Sequence, residues 1–416
     1  MSHTASAVKL GYLVSCYPAP SHTFILREIA GLRRHGWQIE SASINPDLRT
    51  PEQQSAQERA ETAATFYLKG QPWLRLLAQG LRVLLLQPLA ALSALLLAQS
   101  LARPGIRGRL LALCYWLEAV LIAGWMQQRQ IGHLHVHFGN EAAMVGLLAS
   151  HIRRSSWSLT VHGPDEFYDV KGQRLAAKVQ SARFVVCISH YARSQLMLLT
   201  PPECWSRLLV VPLGVAADFA ANLQRPAHLP SRCFTLLCVG RLVSAKGQAT
   251  LLYALQQLRR WGINARLVLA GDGPDRGRLQ RLSQQLQLQQ AVEFLGVVSQ
   301  QQVLEHLGKA DVFVLPSFAE GVPVVLMEAM MAGVPCVSTR ITGIPELIES
   351  GVSGCLVTPG SVAELAQTLK QLANDGSLRR QLAEGGRSRV CHSYNLEANL
   401  SRLSDCFSLQ LQEVRS

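Results

Sequence analysis

The sequence predicts an α/β protein of two doubly wound, Rossmann-like domains, each with a parallel sheet. Three observations predict it. The second half alternates short apolar runs with amphipathic stretches of helical period, the first half repeats that alternation less cleanly, and a proline-containing loop from Pro212 to Arg232 separates them. Strands joined by helices of about 10 to 15 residues imply right-handed crossovers and parallel pairing. A chain of 416 residues holds two to three domains at roughly 100 to 200 residues each.

In order along the chain, Val8 to Val14 is the first strand. It contains Lys9 and runs into Cys16 and Pro18, which fits a strand and not a secretion signal. Further strands are predicted at Gln38 to Ile44, His133 to His137, Ser158 to Val161, Phe184 to Ile188 and Leu208 to Val211. Beyond the loop they fall at Thr235 to Val239, Arg266 to Ala270, Val292 to Leu295, Val312 to Leu315, Pro335 to Ser338 and Cys355 to Val357. Helical periodicity fills the gaps at Gln248 to Arg260, Asp275 to Leu286, Gln301 to Ala310, Val324 to Ala332 and Val362 to Asn374. The expected organisation is an N-terminal domain over 1–212, a linker over 213–232, a second domain over 233–395, and a C-terminal helix over 396–416 able to pack back on the first domain. Ligands of open α/β sheets bind beyond the carboxyl ends of the strands, so two such domains predict a cleft lined by strand exits.

Composition narrows the class. The chain is 48% hydrophobic, which excludes intrinsic disorder, and carries a net charge of +12 although only 16% of its residues are charged. Its ten cysteines include no C-x-x-C pair and read as free thiols in a reducing compartment, so a cytoplasmic protein is expected. The exceptional segment runs from Leu74 to Arg129. It contains a charge-free run, Val83 to Ala102, broken by Gln87 and Pro88, and a second apolar stretch, Leu110 to Met126, with six arginines against Glu118 alone. Three readings stay open for it: buried helices, a hairpin docked on a membrane surface, or a membrane span. Docking gains support from charge, because residues 1–219 carry +8 of the excess and residues 220–416 carry +4. Nucleic acid is not expected as a partner: these arginines alternate with leucines, and no binding module accompanies them.

Three strand exits in the second half carry the chemistry. At the first, C-V-G-R-L-V-S-A-K-G, Gly240 frees the backbone and Arg241 and Lys246 can aim two cations at a ligand. The second, L-A-G-D-G-P-D-R-G, lacks the G-x-G-x-x-G spacing, which disfavours a dinucleotide. The third places Glu320 in a turn, Pro323 at a helix start, Glu328 inside the helix and Gly333 at its end. N–H groups at a helix start favour an anion. Carboxylates on either side of that point suit the neutral hydroxyls flanking a phosphate, as in a nucleotide sugar.

These residues resemble glycosyltransferase family 4, whose members are retaining enzymes of the two-domain GT-B fold. The resemblance rests on G-R-L-x-x-x-K-G from Gly240 to Gly247 and on two glutamates eight positions apart, Glu320 and Glu328. In the first half Y-P-A-P-S-H-T-F-I-L-R-E-I (Tyr17 to Ile29), H-V-H-F-G-N (His135 to Asn140) and T-V-H-G-P-D-E-F (Thr160 to Phe167) resemble the colanic-acid-type exopolysaccharide subgroup. The likeness covers nearly the whole chain and is weakest over Leu74 to Arg129.

The resemblance implies roles. Gly240, Arg241 and Lys246 would serve the donor diphosphate; Glu328 the ribose hydroxyls; Glu320 with the backbone of Gly321, Val322, Pro323, Val324 and Val325 the donor sugar and its phosphate. Gly296 and Val297 would meet the base. His162 would lie near the charge developing at the anomeric carbon, its ordinary alternative being an imidazole capping a strand end. Ser21, His22, Thr23 and His137 are acceptor-side candidates, although Ser21 could equally cap a helix. A metal reading of His133, His135 and His137 is set aside because no carboxylate follows until Glu141, and the chain has no D-x-D, so no metal or cofactor is expected. The implied reaction moves a hexose from a nucleotide diphosphate sugar, preferably a UDP-sugar, to a lipid-linked saccharide. The enzyme would be peripheral on the cytoplasmic face of the inner membrane. Rival readings are a nucleotide-sugar epimerase or glycan phosphorylase of the same architecture, and a non-catalytic membrane-bound scaffold.

Overall fold

The computed structural model describes residues 8–19, 22–221, 223 and 233–412. It divides the chain into two compact units, one made of the residues up to Val211 and those from Leu400 onward, the other of Pro212–Asn399.

In the first unit the chain runs β1 (Leu10–Cys16), α1 (Thr23–Arg34), β2 (Ile39–Asn45), α2 (Ala56–Ala64), β3 (Phe66–Tyr67), α3 (Trp73–Leu86), α4 (Pro88–Ser100), α5 (Ile106–Gln128), β4 (His133–His137), α6 (Glu141–Arg153), β5 (Ser156–Val161), α7 (Asp165–Tyr168), α8 (Leu175–Ser181), β6 (Phe184–Cys187), α9 (His190–Leu199) and β7 (Leu208–Val210). The seven strands form one parallel sheet in the order β3-β2-β1-β4-β5-β6-β7. Strands β4 to β6 are buried on both faces, as parallel sheets covered by helices require. β3 escapes sequence reading because two residues have no periodicity.

The apolar segment becomes three helices. The charge-free run is split at Gln87: Pro88 can begin a helix but cannot continue one, and the axes of α3 and α4 turn by 104° there. α5 is long and apolar enough to cross a membrane, with 44% of its most apolar stretch buried. Its second half, including Trp125 stacked on Phe66, enters the core. Much of α3, α4 and the start of α5 instead exposes leucine.

The second unit contains β8 (Phe234–Val239), α10 (Gln248–Arg260), β9 (Ala265–Ala270), α11 (Arg276–Gln285), β10 (Val292–Gly296), α12 (Gln300–Lys309), β11 (Val312–Leu315), α13 (Val324–Met331), β12 (Cys336–Thr339), α14 (Ile344–Leu347), β13 (Cys355–Val357), α15 (Val362–Asn374) and α16 (Gly376–Ser393). Its six strands are parallel in the order β10-β9-β8-β11-β12-β13. Side-chain caps fix several helix starts: Ser299 on α12, Ser361 on α15 and Asp375 on α16. The last helix, α17 (Leu396–Gln412), brings Phe407 against Tyr12, His135 and Phe184 in the first unit's core. None of the ten cysteines is in a disulfide.

Candidate functional site

In the second unit the strand order reverses between β8 and β11, the point at which open α/β sheets leave a crevice beyond their carboxyl ends. The loops leaving these two strands form the site. Gly240 follows β8 directly, then a short turn, Ser244–Lys246, delivers Lys246 before α10. After β11 the chain passes Ser317 and Phe318 to Glu320, and Pro323 starts α13. Phe318 N–H donates to the Ala245 carbonyl at 2.7 Å, stitching the loops together.

That approach demands glycine at one position. Gly247 sits at φ +67, and a Cβ there would fall 2.0 Å from the Pro316 carbonyl oxygen. Gly247→Ala is therefore expected to cost about 2–4 kcal/mol of stability, read as a lowered denaturant midpoint with an unchanged slope.

Lys246 Nζ lies 2.6 Å from Glu320 Oε1, and the Ser317 hydroxyl donates to the same oxygen at 2.7 Å. The Thr342 hydroxyl donates to the Glu320 carbonyl. Glu320 is buried and Lys246 partly exposed. The two side chains assigned from sequence to sugar and diphosphate thus pair with each other. An ammonium has three N–H groups, so one bond to Glu320 leaves donors for a second anion. The first-turn N–H groups of α13, beginning at Val324 and Val325, have no partners within the helix and add a favourable field for that anion.

Glu328 lies buried within α13 and accepts from Gln300 Nε2 at 3.3 Å. Gly296 closes β10 at φ +75, and Val297 beyond it is exposed. Arg241 is exposed, and its carbonyl accepts from Gln248. Ser317, Thr342 and Gln300 are site residues that sequence reading missed. Ser317 alone gave a local signal, three positions before Glu320 in P-S-F-A-E.

The first unit has an equivalent point between β1 and β4, where its strand order reverses. There His137 ends β4 and His162 follows β5. His137 Nδ1 is 2.9 Å from His162 Nε2, and His137 Nε2 is 3.1 Å from Glu28 Oε1, which also accepts from the Tyr12 hydroxyl at 2.9 Å. The Phe24 and Phe138 rings pack 4.8 and 4.5 Å from that of His162. Burial holds His162 neutral, well below the ordinary imidazole range, with the neighbouring His137 and His22 adding to the effect.

Glu166 fixes the loops after β4 and β5, its carboxylate accepting from the backbone N–H groups of Gly139, His162 and Gly163. Burial pushes its pKa up to about 7 despite those donors. Lys178 donates to the carbonyls of Gly139 and Asn140 at 2.9 and 2.7 Å and is pushed down to about 7 by its own burial.

The sequence reading puts His137 on the wall of an acceptor site. The structure corrects it: His137 is fully buried behind His162, because Glu28, 109 residues earlier on α1, takes its outer nitrogen. Glu28 also supplies the carboxylate that the histidine run lacked, and Glu28, His135 and His137 each offer a ligand atom within 4.8 Å of the others. Both His135 nitrogens, however, bond to the hydroxyls of Ser158 and Thr160, and His133 bonds to Ser156 and Ser158. His22 precedes α1 without a side-chain capping bond, its Nδ1 3.5 Å from the Cys16 carbonyl, and Thr23 opens the helix. Ser21 lies outside the described residues.

The family described as glycosyl transferases group 1 matches residues 221–389. Over 94% of this chain and 97% of the relative, the sequence is 29% identical to the colanic acid biosynthesis glycosyltransferase WcaL of Salmonella typhimurium. It is 27% identical to the amylovoran biosynthesis glycosyltransferase AmsK of Erwinia amylovora, over 96% of this chain and 98% of that protein. Among solved structures, Anabaena HepE in complex with UDP is similar with a TM-score of 0.70 at 19% identity, covering 96% of this chain and all of that one (100%). Sucrose-phosphate synthase from Thermosynechococcus elongatus is similar with a TM-score of 0.71 at 19% identity, covering 97% and 100% of the two chains.

Proposed function

We propose that this chain, a group 1 glycosyltransferase with the GT-B fold, is a retaining hexosyltransferase. It takes a hexose from a UDP-sugar and adds it to a lipid-linked oligosaccharide during exopolysaccharide assembly. The observation that carries this reading is the Lys246–Glu320 pair beside the start of α13, at the strand-order reversal of the unit that matches the family. Names of relatives favour the pathway, since two full-length ones are called colanic acid and amylovoran glycosyltransferases. Similar structures hold UDP and UDP-glucose, which favours uridine.

In the proposed reaction the bond from the anomeric carbon to the diphosphate oxygen breaks and the acceptor oxygen bonds to the same face of that carbon. The acceptor proton passes to the departing diphosphate, so no protein base is required. Arg241, the unused N–H groups of Lys246 and the α13 N-terminus neutralise the leaving group. Glu328 takes the ribose hydroxyls, the main chain at Gly296 and Val297 meets the base, and Glu320 addresses the donor sugar; in the first unit His162 is the group assigned to a sugar hydroxyl. We assign the enzyme to the cytoplasmic face of a membrane, docked through the leucine-rich surface of α3, α4 and α5. The positive field on the diphosphate comes from the protein, so no divalent metal is needed.

The test is a panel of UDP- and GDP-hexoses with a polyprenyl diphosphate-linked acceptor, scored by nucleotide release and by the anomeric configuration of the product. A UDP-hexose is expected to turn over with retention and with the same rate in excess chelator. Turnover of GDP-hexoses alone would overturn the uridine assignment, inversion would overturn the mechanism, and a loss in chelator restored by magnesium would overturn metal independence.

A further inference from the structure

We propose that Glu28 and His137 are positioning residues that set the tautomer of His162, so that it offers the bare lone pair of Nδ1, and not an N–H, to a hydroxyl of the sugar substrate. The proton positions follow in sequence. A carboxylate only accepts, so Glu28, already taking the Tyr12 hydroxyl, requires the proton of His137 to sit on Nε2. In the proposed arrangement that is the only proton His137 carries, so its Nδ1 is an acceptor, and that atom faces His162 Nε2 at 2.9 Å. His162 Nε2 is then the donor, which leaves the lone pair on Nδ1.

His162 Nδ1 is buried and has no hydrogen-bond partner among the described residues. An unpaired buried polar atom costs about 1–3 kcal/mol and persists where something else completes it. The surrounding rings of Phe24 and Phe138 offer it no hydrogen bond. His133 and His135 do not extend the chain, since Ser156, Ser158 and Thr160 occupy their nitrogens. A sugar hydroxyl is the natural donor. The polarity also suits the chemistry: an imidazolium would repel the cationic character growing at the anomeric carbon, whereas a lone pair held by a neutral ring does not. The inference rests on the assignment of His162 to the sugar substrate.

The experiment follows histidine nitrogen resonances in the full-length protein labelled with ¹⁵N-histidine, with His162→Gln identifying the His162 signals. Wild type is expected to show His162 protonated at Nε2 and bare at Nδ1. His137→Phe removes the acceptor and should give mixed tautomers with kcat lowered about 10²-fold and KM for the nucleotide sugar little changed. His137→Asn, whose Oδ1 replaces that acceptor, should restore the tautomer and most of kcat. Glu28→Gln keeps the side-chain volume and should loosen the tautomer if His137→Phe does not fold. A protonated Nδ1 in wild type overturns the proposal, as does a tautomer and kcat unaffected by both His137→Phe and Glu28→Gln. If no nucleotide sugar is turned over, the reading of the reaction fails while the resonances still decide the tautomer.

Discussion

Lys246→Ala is expected to lower kcat/KM for the nucleotide sugar by about 10²- to 10³-fold, the usual loss when one fixed donor to a developing negative charge is removed. The size follows from where the ammonium sits. It is held 2.6 Å from Glu320 by a loop that Gly247 allows to lie against Pro316, so its remaining N–H groups need no reorganisation when a diphosphate arrives. Removing it also strips a buried carboxylate of its cation, leaving the Ser317 hydroxyl as its side-chain donor among the described residues, at a cost of about 1–3 kcal/mol. Glu320→Gln separates the two effects. It keeps the bond from Ser317 and removes the need for a cation, so it should restore stability in the Lys246→Ala background without restoring rate. Steady-state kinetics and thermal unfolding of both single variants and the double variant give the coupling directly. If Lys246→Ala and Glu320→Ala both leave turnover unchanged, the site assignment fails.

How far the sequence alone reaches depends on whether a feature is local. The strand Val312 to Leu315 and the helices Gln248 to Arg260 and Val362 to Asn374 have the same bounds in the structure, because an apolar run or a helical period between breakers defines each within its own residues. The break at Gln87 was legible for the same reason, since Pro88 is a local signal. The strand at Phe66 and Tyr67 was not, since it exists through pairing with Ala42 and Ser43. At the sites, Lys246 and Glu320 stood out singly, but their pairing joins residues 74 positions apart. Glu28 lies within the stretch Tyr17 to Ile29 but gains no role from it: a glutamate in an amphipathic helix reads as a solvated charge, and only the fold turns it toward His137. Spacing thus singled out candidate side chains one at a time, while topology decided which of them meet.

Substituting Leu85, Leu89 and Ile106 together by serine is expected to weaken binding to anionic vesicles by about 10²-fold or more and to leave the folding midpoint nearly unchanged. These side chains are 79%, 78% and 78% exposed, so the fold loses little when they are shortened. α4 is apolar on all sides, a pattern usually found in buried helices, yet Leu89, Leu92 and Leu96 lie exposed on it. An apolar surface of this kind marks a place that another apolar phase covers. At about 1 kcal/mol for each partly immersed side chain, three removed contribute about 3 kcal/mol, and each 1.4 kcal/mol is tenfold. For the proposed docking, charge favours an anionic bilayer as the covering phase: Arg75, Arg82, Arg107 and Arg109 accompany the leucines at about 1 kcal/mol each near such a surface, and Arg103 pairs with Asp169. Salt separates the contributions, because 1 M screens charges beyond about 3 Å and leaves apolar burial intact. Binding should therefore weaken but persist at high salt in wild type and vanish in the triple variant, as measured by vesicle sedimentation. Hydrolysis of nucleotide sugar in free solution should be the same in both proteins, since none of the three residues belongs to either site. A wild-type protein that ignores anionic vesicles, or that covers the same surface by forming a dimer in their absence, would overturn the docking assignment while leaving the chemistry at Lys246 and Glu320 as described.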